Sequence, residues 1–260
     1  MRLGIVADIH GNEVALRAVL ADAADFGIDR WWALGDLVLF GPRPAEVLSI
    51  LSGLPGLAAL SGNTDRYVLT DEQPQPHATA ADASADTSLV ERFGAMAAQI
   101  GWARGALVQA GLLGNLAALP DKLRTTLPGG TKVLGVHASP ASDEGPGIDP
   151  RIPDGELAAL LSGSAADVVV GGHTHAPTDR VVDGIRALNP GSTGLPRTPG
   201  VAGWLLLSAA PGHGVTAELR SVPFDAGAVI REVHERRLPN AGFIASLLDG
   251  THWRSSSRTP

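Results

Sequence analysis

Cysteine is absent from this 260-residue sequence, and aromatic residues make up only 4% of it. Without cysteine the chain can form neither disulfides nor thiolate metal sites, so any bound metal would need aspartate, glutamate, asparagine or histidine ligands. Basic residues are also few: 20 lysines and arginines stand against 27 aspartates and glutamates, for a net charge of −7. This balance gives no strong signal for nucleic-acid binding, although bound cations would allow a small phosphorylated substrate.

The sequence also lacks a cationic start followed by an apolar stretch, and it has no apolar run long enough to span a membrane. We therefore expect a cytoplasmic protein with no membrane partner. Apolar residues make up 44% of the chain and charged residues 18%, which is typical of a globular protein. We expect residues 1–260 to form a single domain.

Strand and helix patterns alternate over the first 60 residues. Apolar runs predict strands over Leu3–Ala7, Trp31–Leu34 and Leu57–Leu60, and helical spacing predicts helices after Asn12 and over Pro44–Leu51. Asn12 is interpreted as a helix cap and not as a metal ligand. The alternation predicts a largely parallel sheet with covered faces.

A helical insertion is predicted over about residues 67–121. Its first part, Thr70–Ser88, is polar and indicates a mobile loop, and Leu89–Leu119 indicates a helix interrupted at Gly101 and Gly111. The insertion is too short and too weakly apolar to fold alone, so we expect it to cover part of the sheet edge. A substrate-selecting lid and a contact in a homo-oligomer are equally compatible with this pattern.

Strand patterns dominate the second half of the chain, with hairpin turns at 128–130 and 183–184. The predicted strands are Leu123–Leu127, Lys132–Val136, Asp167–Val170, Arg180–Val182, Ile185–Leu188, Ala202–Ser208 and Val215–Leu219. The predicted helices are Glu156–Leu161, Asp225–Arg237 and Ala241–Leu248. The polar end, about 251–260, is predicted to be frayed.

Five short polar motifs follow predicted strands. They are Asp8-Ile9-His10, Gly35-Asp36, Gly62-Asn63-Thr64-Asp65, Gly135-Val136-His137 and Gly172-His173-Thr174-His175. Taken singly, His137 could be a buried core histidine, and Asp8 or Asp36 a cap or turn residue. The carboxyl ends of strands in an α/β sheet meet at one crevice, however, so the five motifs together predict a metal site. Its mixed oxygen and nitrogen ligands suit Mn, Fe, Zn or Ni better than calcium.

The order of these motifs resembles that of the calcineurin-like metallophosphoesterases. The stretch 35–42, Gly-Asp-Leu-Val-Leu-Phe-Gly-Pro, matches the second sequence block of that family closely. The resemblance runs from Arg2 to about Ser192, and the turn at 189–192 is similar to one in the bacterial phosphodiesterase branch. It implies an α/β fold, a four-layer α-β-β-α sandwich of two mixed sheets flanked by helices, with the helical insertion.

The resemblance also implies roles for individual residues. Two divalent metal ions would be bound, the first by Asp8, His10 and His175 and the second by Asn63, His137 and His173, with Asp36 bridging them. A water or hydroxide activated between the metals would attack phosphorus in line. Catalytic roles are implied for Asp36, Asn63, Thr64 and Asp65.

Thr64 departs from the pattern of the family, which most often has a histidine there that contacts the phosphate. A threonine hydroxyl donates a hydrogen bond but is a poor general acid at neutral pH. This departure favours a small phosphodiester as the substrate. Asp65, without its imidazole partner, could cap a backbone segment or pair with Arg66, and Arg66 could instead contact the phosphate.

Alternatives within the same fold are a catalytically silent scaffold and a phosphomonoesterase or protein phosphatase. A structural or regulatory protein with a single metal ion is a third possibility. Arg43 and Arg197 could also reach a phosphate. Trp31 and Trp32 are predicted to pack in the core and at the sheet edge and not to form a substrate platform. The remaining histidines have no partners at ligand spacing and are predicted to lie on the surface; they are His77, His213, His234 and His252.

Overall fold

A computed structural model of the protein describes residues 1–70, 72–74 and 79–256. Two five-stranded sheets form its centre. The first consists, in spatial order, of β10 (Thr216–Pro223), β9 (Val201–Ser208), β1 (Arg2–Val6), β2 (Arg30–Leu34) and β3 (Ala58–Leu60). The second consists of β4 (Leu123–Thr126), β5 (Lys132–Gly135), β6 (Val168–Val170), β8 (Ile185–Asn189) and β7 (Thr178–Val182).

Both sheets are mixed. In the first, β1, β2 and β3 run parallel, and β9 and β10 add antiparallel pairings. In the second, β5, β6 and β8 run parallel, and β4 and β7 pair antiparallel at the two edges. The hairpins predicted at 128–130 and 183–184 are confirmed, because they join β4 to β5 and β7 to β8.

Ten helices surround the sheets in the described part of the chain. They are α1 (Glu13–Ala23), α2 (Pro44–Ser52), α3 (Asn63–Leu69), α4 (Ala80–Ala85), α5 (Ser88–Gln109), α6 (Leu113–Ala117), α7 (Asp154–Leu161), α8 (Ala226–Glu235), α9 (Ala241–Leu248) and α10 (Thr251–Ser256). Asn12 caps α1 as predicted, since its side chain accepts a hydrogen bond from Ala15 N at 3.0 Å. Among these helices none has the length and hydrophobicity needed to cross a membrane.

Because side chains alternate along each strand, the two sheets bury three hydrophobic layers, one between the sheets and one on the outer face of each sheet. On β2, Trp31 joins the cluster that packs the first sheet against α1 and α2, while Trp32 joins the cluster between the two sheets. On the outer face of the second sheet, Val169 packs with Leu157 and Leu161 of α7. The order is helices, sheet, sheet, helix, so the predicted four-layer sandwich is confirmed.

The helical insertion packs against the first helical layer. Helix α5 buries Ile100 and Leu107 in the same core as α1. It runs unbroken through Gly101, so the interruption predicted there is wrong, whereas Gly111 (φ +70°) lies just after its end as predicted. The loop predicted over 70–88 is wrong for Ala80–Ala85, which form α4. Its residues 71 and 75–78, including Pro76 and His77, lie outside the described part of the chain.

The C-terminal segment is more ordered than its polar sequence suggests. Helices α8 and α9 form their own apolar cluster with Leu195, and Trp253 packs against that cluster. Residues Thr251–Ser256 form α10, so the frayed end predicted for about 251–260 is wrong over these six residues. The aromatic side chain of Trp253, which contacts this cluster, is the physical reason for the difference.

Candidate metal centre

Parallel strands from both sheets end at one crevice. The segments after β1, β2 and β3 carry four of the predicted ligands, and those after β5 and β6 carry the other three. The structure therefore brings all seven together: Asp8, His10, Asp36, Asn63, His137, His173 and His175. All except His173 are at most 8% exposed.

The first group of ligands consists of Asp8, His10 and His175. His175 Nε2 lies 3.5 Å from Asp8 Oδ1 and 3.3 Å from His10 Nε2. One ligand atom from each of the three lies within 4.8 Å of those of the other two. This spacing is short enough for the three side chains to share one ion.

The second group consists of Asn63, His137 and His173. Asn63 Oδ1 lies 3.0 Å from His137 Nε2 and 3.2 Å from His173 Nδ1. Asp36 joins the two groups, because its Oδ1 lies 3.3 Å from His137 Nε2 and its Oδ2 lies 3.6 Å from His10 Nε2. A carboxylate with one oxygen facing each group has the geometry of a bridging ligand.

Backbone carbonyls hold all four imidazoles on the side away from the crevice. The contacts are His10 Nδ1 to Leu39 O at 3.1 Å, His137 Nδ1 to Leu34 O at 2.8 Å, His175 Nδ1 to Leu195 O at 2.7 Å and His173 Nε2 to Gly145 O at 3.1 Å. A carbonyl oxygen only accepts, so the outward nitrogen of each neutral ring carries the hydrogen. The inward nitrogen then presents a lone pair, as metal-binding histidines do.

Converging lone pairs and carboxylates repel one another unless positive charge lies among them. In the protein alone, protons on Asp8 and His137 reduce this repulsion. Burial, reinforced by the charge of Asp36, raises the pKa of Asp8 to about 8, although His137 opposes it. Burial lowers the pKa of His137, but the charge and hydrogen bond of Asp36 outweigh it and raise that pKa to about 10. Burial lowers the pKa of His10 to about 4. The donor set therefore fits divalent cations, which would replace these protons.

Backbone strain is concentrated in the same residues. Positive φ angles of 50° to 65° occur at five of the seven ligands, Asp8, His10, Asp36, His173 and His175. Such a conformation costs about 1–2 kcal/mol for a residue other than glycine, so surrounding contacts must impose it. Among those contacts, His10 N donates to Asp36 O at 2.8 Å.

Two glycines leave the carboxylates room. A Cβ on Gly62 would lie 2.3 Å from Asp36 Oδ1, and a Cβ on Gly172 would lie 2.8 Å from Asp8 Oδ2. No real side chain tolerates the first of these distances. The glycines of the predicted motifs are therefore required by the close approach of the ligands.

Tyr67 sets the orientation of the Asn63 amide. Asn63 Nδ2 lies 3.3 Å from the Tyr67 hydroxyl, which in turn donates to Glu144 Oε1. With the amide nitrogen held in this way, Oδ1 faces the imidazoles of the second group. Tyr67 is buried in the core, so this first residue of the segment 67–121 is not an exposed part of the lid considered for that segment.

Thr64 and Asp65 occupy different positions relative to the crevice. Thr64 N donates to Asp36 Oδ1 at 2.9 Å, and the buried Thr64 Oγ1 has no hydrogen-bond partner among the described residues. The Asp65 carboxylate instead accepts from Leu37 N at 2.9 Å and Gly62 N at 3.0 Å. Asp65 therefore caps the backbone, the first of the two arrangements considered for it, and positions the loops that carry the ligands.

The three arginines considered as phosphate contacts all pair with carboxylates. Arg66 binds Asp143 at 2.7 Å and Glu144 at 2.9 Å, and it also contacts Glu72. Arg197 pairs with Asp149 at 3.0 Å, and Arg43 pairs with Glu232 at 2.8 Å. A phosphate would have to displace acidic groups to reach any of these guanidinium groups.

Several neighbours of the centre were not predicted from the sequence. Tyr67 and Glu144 are 77 residues apart, and no motif indicates that they meet. His252, which was predicted as a surface residue without partners at ligand spacing, is half-buried, and its ring lies 5.3 Å from that of Phe243 and 5.2 Å from that of Trp253. The Trp253 ring in turn lies 5.6 Å from that of His175. The contact arises only because α10 folds back over the crevice.

Known proteins resemble this chain in sequence and in fold. The calcineurin-like phosphoesterase superfamily domain matches residues 1–210. An uncharacterized protein of Methanocaldococcus jannaschii is 29% identical over 210 residues, which are 75% of this chain and 77% of that protein. The crystal structure of a metallophosphoesterase from Sphaerobacter thermophilus is similar, with 26% identity, a TM-score of 0.70 and coverage of 96% of this chain and 99% of that one.

A hypothetical protein from Pyrococcus horikoshii shares the fold, with a TM-score of 0.77 and 22% identity over 96% of this chain and 98% of that one. The domain match extends past the last of the seven ligands, His175, and past the turn at 189–192. The chain belongs to the calcineurin-like phosphoesterase superfamily.

Proposed function

We propose that the protein hydrolyses a small phosphodiester at a centre of two divalent metal ions. Asp8, His10 and His175 would hold the first ion. Asn63, His137 and His173 would hold the second, and Asp36 would bridge them. The observation that carries the proposal is the unbroken series of inward-facing ligand atoms, in which neighbours lie 3.0–3.6 Å apart.

When bound, two such ions lower the pKa of water, orient the ester and neutralise charge on the phosphoryl oxygens. The chain's own contribution is to hold the ligands rigidly. Carbonyl partners fix each imidazole, Tyr67 fixes the Asn63 amide, and Asp65 fixes the loops around Gly62. The buried carboxylates and imidazoles need no large rearrangement to bind substrate, which is the condition for electrostatic stabilisation of a transition state.

Thr64 supports the preference for a diester. Its backbone N donates to Asp36 Oδ1, and its buried hydroxyl has no hydrogen-bond partner among the described residues. It cannot deliver a proton to a poor leaving group at neutral pH as an imidazolium does. We therefore propose a diester or another ester whose leaving group needs little protonation.

Metal analysis together with a chromogenic assay tests the function. Protein purified without chelators should contain two ions per chain of Mn, Fe, Zn or Ni, and it should hydrolyse bis-p-nitrophenyl phosphate. Asp36→Asn should lower kcat/KM at least about 100-fold, because a bridging ligand is lost. Asp22→Asn is the matched control: this carboxylate pairs with Arg220 away from the crevice and should leave activity intact. Inert protein that binds no transition metal would favour the scaffold.

The diester preference has its own test. Thr64→His should raise the turnover of a monoester with a poorer leaving group, phenyl phosphate, relative to that of bis-p-nitrophenyl phosphate, because an imidazole can protonate the leaving group. Thr64→Val removes the hydroxyl with little change in shape and should not raise that ratio. An unchanged ratio in Thr64→His would contradict the reasoning.

A further inference from the structure

The segment 189–195 crosses from one sheet to the other beside the metal centre. It starts at the end of β8 in the second sheet and leads to β9 in the first sheet, where β9 pairs with β1. Its polar side chains Asn189, Ser192 and Thr193 are all buried. Buried polar groups need hydrogen-bond partners, so the partners of these side chains identify what the segment holds in place.

Asn189 holds the loop between β6 and β7, which carries two of the proposed ligands. Its Oδ1 accepts from Gly191 N at 2.8 Å, and a backbone N–H can only donate, so the amide nitrogen must face the loop. There Nδ2 donates to Gly172 O at 2.8 Å and to Thr174 Oγ1 at 3.0 Å. Ile148 O lies 3.0 Å from the same nitrogen and also accepts from the Thr174 hydroxyl at 2.9 Å.

Ser192 joins two ligands of the first group. Its Oγ donates to Asp8 O at 2.8 Å and accepts from Leu195 N at 2.8 Å. Leu195 O in turn lies 2.7 Å from His175 Nδ1. One hydroxyl therefore links the backbone of Asp8, which follows a strand of the first sheet, to the ring of His175, which follows a strand of the second.

A backbone contact of the same segment supports the left-handed conformation of Asp8 (φ +54°). Gly194 N donates to Asp8 O at 2.9 Å, so this carbonyl accepts both from Gly194 and from Ser192. A Cβ on Gly194 would lie 1.8 Å from Ile9 O, which shows how closely the segment approaches the first motif. These contacts offset the cost of the strained backbone.

We propose that Asn189 and Ser192 are positioning residues of the metal centre and that they act on different ions. Ser192 sets the separation of Asp8 and His175, so it acts on the first ion alone. Asn189 sets the loop that carries His173 and His175, so it acts on both ions. The inference rests on the proposed function and deepens it, because both residues act through the ligands.

Zinc affinity in two single-ion backgrounds tests this assignment. Asn63→Ala removes a ligand of the second ion only, and His10→Ala removes a ligand of the first ion only. In the Asn63→Ala background, Ser192→Ala should lower the Zn²⁺ affinity about 10- to 100-fold in a titration against a competing chelator, as loss of a group that orients a metal ligand does. In the His10→Ala background it should leave the affinity unchanged.

Asn189→Asp keeps the size of the side chain and replaces its donor with an acceptor, so it should lower the Zn²⁺ affinity about 10- to 100-fold in both backgrounds. A buried carboxylate that faces carbonyl oxygens also threatens the fold, so a milder pair of variants accompanies it. Thr174→Val removes the hydroxyl between Asn189 and Ile148 and should weaken Zn²⁺ binding in both backgrounds. Thr174→Ser keeps the hydroxyl and should restore the affinity.

Thr193→Val is the matched control from the same segment. Its buried hydroxyl donates to Gly203 O at 2.9 Å on β9 and contacts no ligand motif. In urea unfolding of the metal-free protein, Thr193→Val and Ser192→Ala should lower the midpoint by similar amounts. Only Ser192→Ala should weaken Zn²⁺ binding, a difference that a purely structural role would not produce.

Unchanged affinity in Ser192→Ala, or equal losses in Ser192→Ala and Thr193→Val, would overturn the inference while leaving the hydrolytic function intact. Equal weakening of both ions by Ser192→Ala would also overturn it. A wild-type protein that binds fewer than two ions would instead contradict the proposed function. If neither single-ion background binds Zn²⁺, the inference is overturned as well.

Discussion

Tyr67→Phe isolates one hydrogen-bonding group beside a proposed metal ligand. The substitution removes only the hydroxyl that accepts from Asn63 Nδ2 at 3.3 Å and donates to Glu144. The ring remains in the core, so the packing of α3 should be kept. The Asn63 amide, however, loses the contact that keeps its oxygen directed at His137 and His173.

The size of the effect follows from the role of such supporting contacts. Loss of a group that orients a metal ligand costs about 10- to 100-fold in metal affinity. Asn63 serves only the second group of ligands, so we expect one ion to weaken by this factor and the other to stay bound. The free energy of unfolding of the metal-free protein should fall by only about 1 kcal/mol, the worth of one hydrogen bond.

Titration of the apoprotein with Zn²⁺ against a competing chromogenic chelator measures both affinities. Glu144→Gln keeps an acceptor for the Tyr67 hydroxyl and serves as the matched variant, with a smaller loss expected. Equal weakening of both ions, or no change in either, would show that Tyr67 does not orient Asn63.

The remaining predictions concern space and charge. Gly62→Ala should lower metal content and destabilise the fold by about 1–3 kcal/mol, because the new Cβ overlaps Asp36 Oδ1. Gly101→Ala, in open space on α5, should instead stabilise the fold by about 0.5–1 kcal/mol in urea unfolding. Similar effects of the two substitutions would contradict the steric argument. Asp22→Asn should cost about 1–2 kcal/mol in the same assay, since its quarter-exposed carboxylate accepts from Arg220 at 2.8 Å. The hydrogen bond from Arg220 lowers the pKa of Asp22 below 3.8, so this contribution is present above pH 3.8 and is lost as the pH falls through the folded-state pKa. A difference between wild type and Asp22→Asn that persists unchanged at lower pH would refute the assignment.

The convergence of the seven candidate ligands could be predicted from sequence because each belongs to a compact motif at the end of a strand. Gly62-Asn63 and the pair His173 and His175 can be recognised from the sequence alone. The sheet topology then brings the ends of the parallel strands together. The four-layer order was implied by the family resemblance, whereas the residue patterns alone predicted the strands, since buried strands such as β6 are short apolar runs between turns.

Other features depend on contacts that no local pattern encodes. The Tyr67–Glu144 contact and the contact of the Trp253 ring with His175 join segments far apart in the chain, and nothing in the sequence around His252 indicates its ring contacts. Gly101 was expected to interrupt α5, but tertiary packing of Ile100 and Leu107 on the core outweighs the small helix penalty of one glycine. Likewise α10, whose polar sequence suggests fraying, includes Trp253 packed beside His175.

The most direct measurement of the central claim is anomalous scattering from a crystal of the protein loaded with Mn²⁺ or Zn²⁺. Two peaks about 3.5–4 Å apart are expected, the usual separation in two-metal sites, with one oxygen of Asp36 directed at each. The first should be bound by His10 and His175, and the second by Asn63 and His137. A single peak under saturating metal, or two peaks without Asp36 between them, would contradict the account.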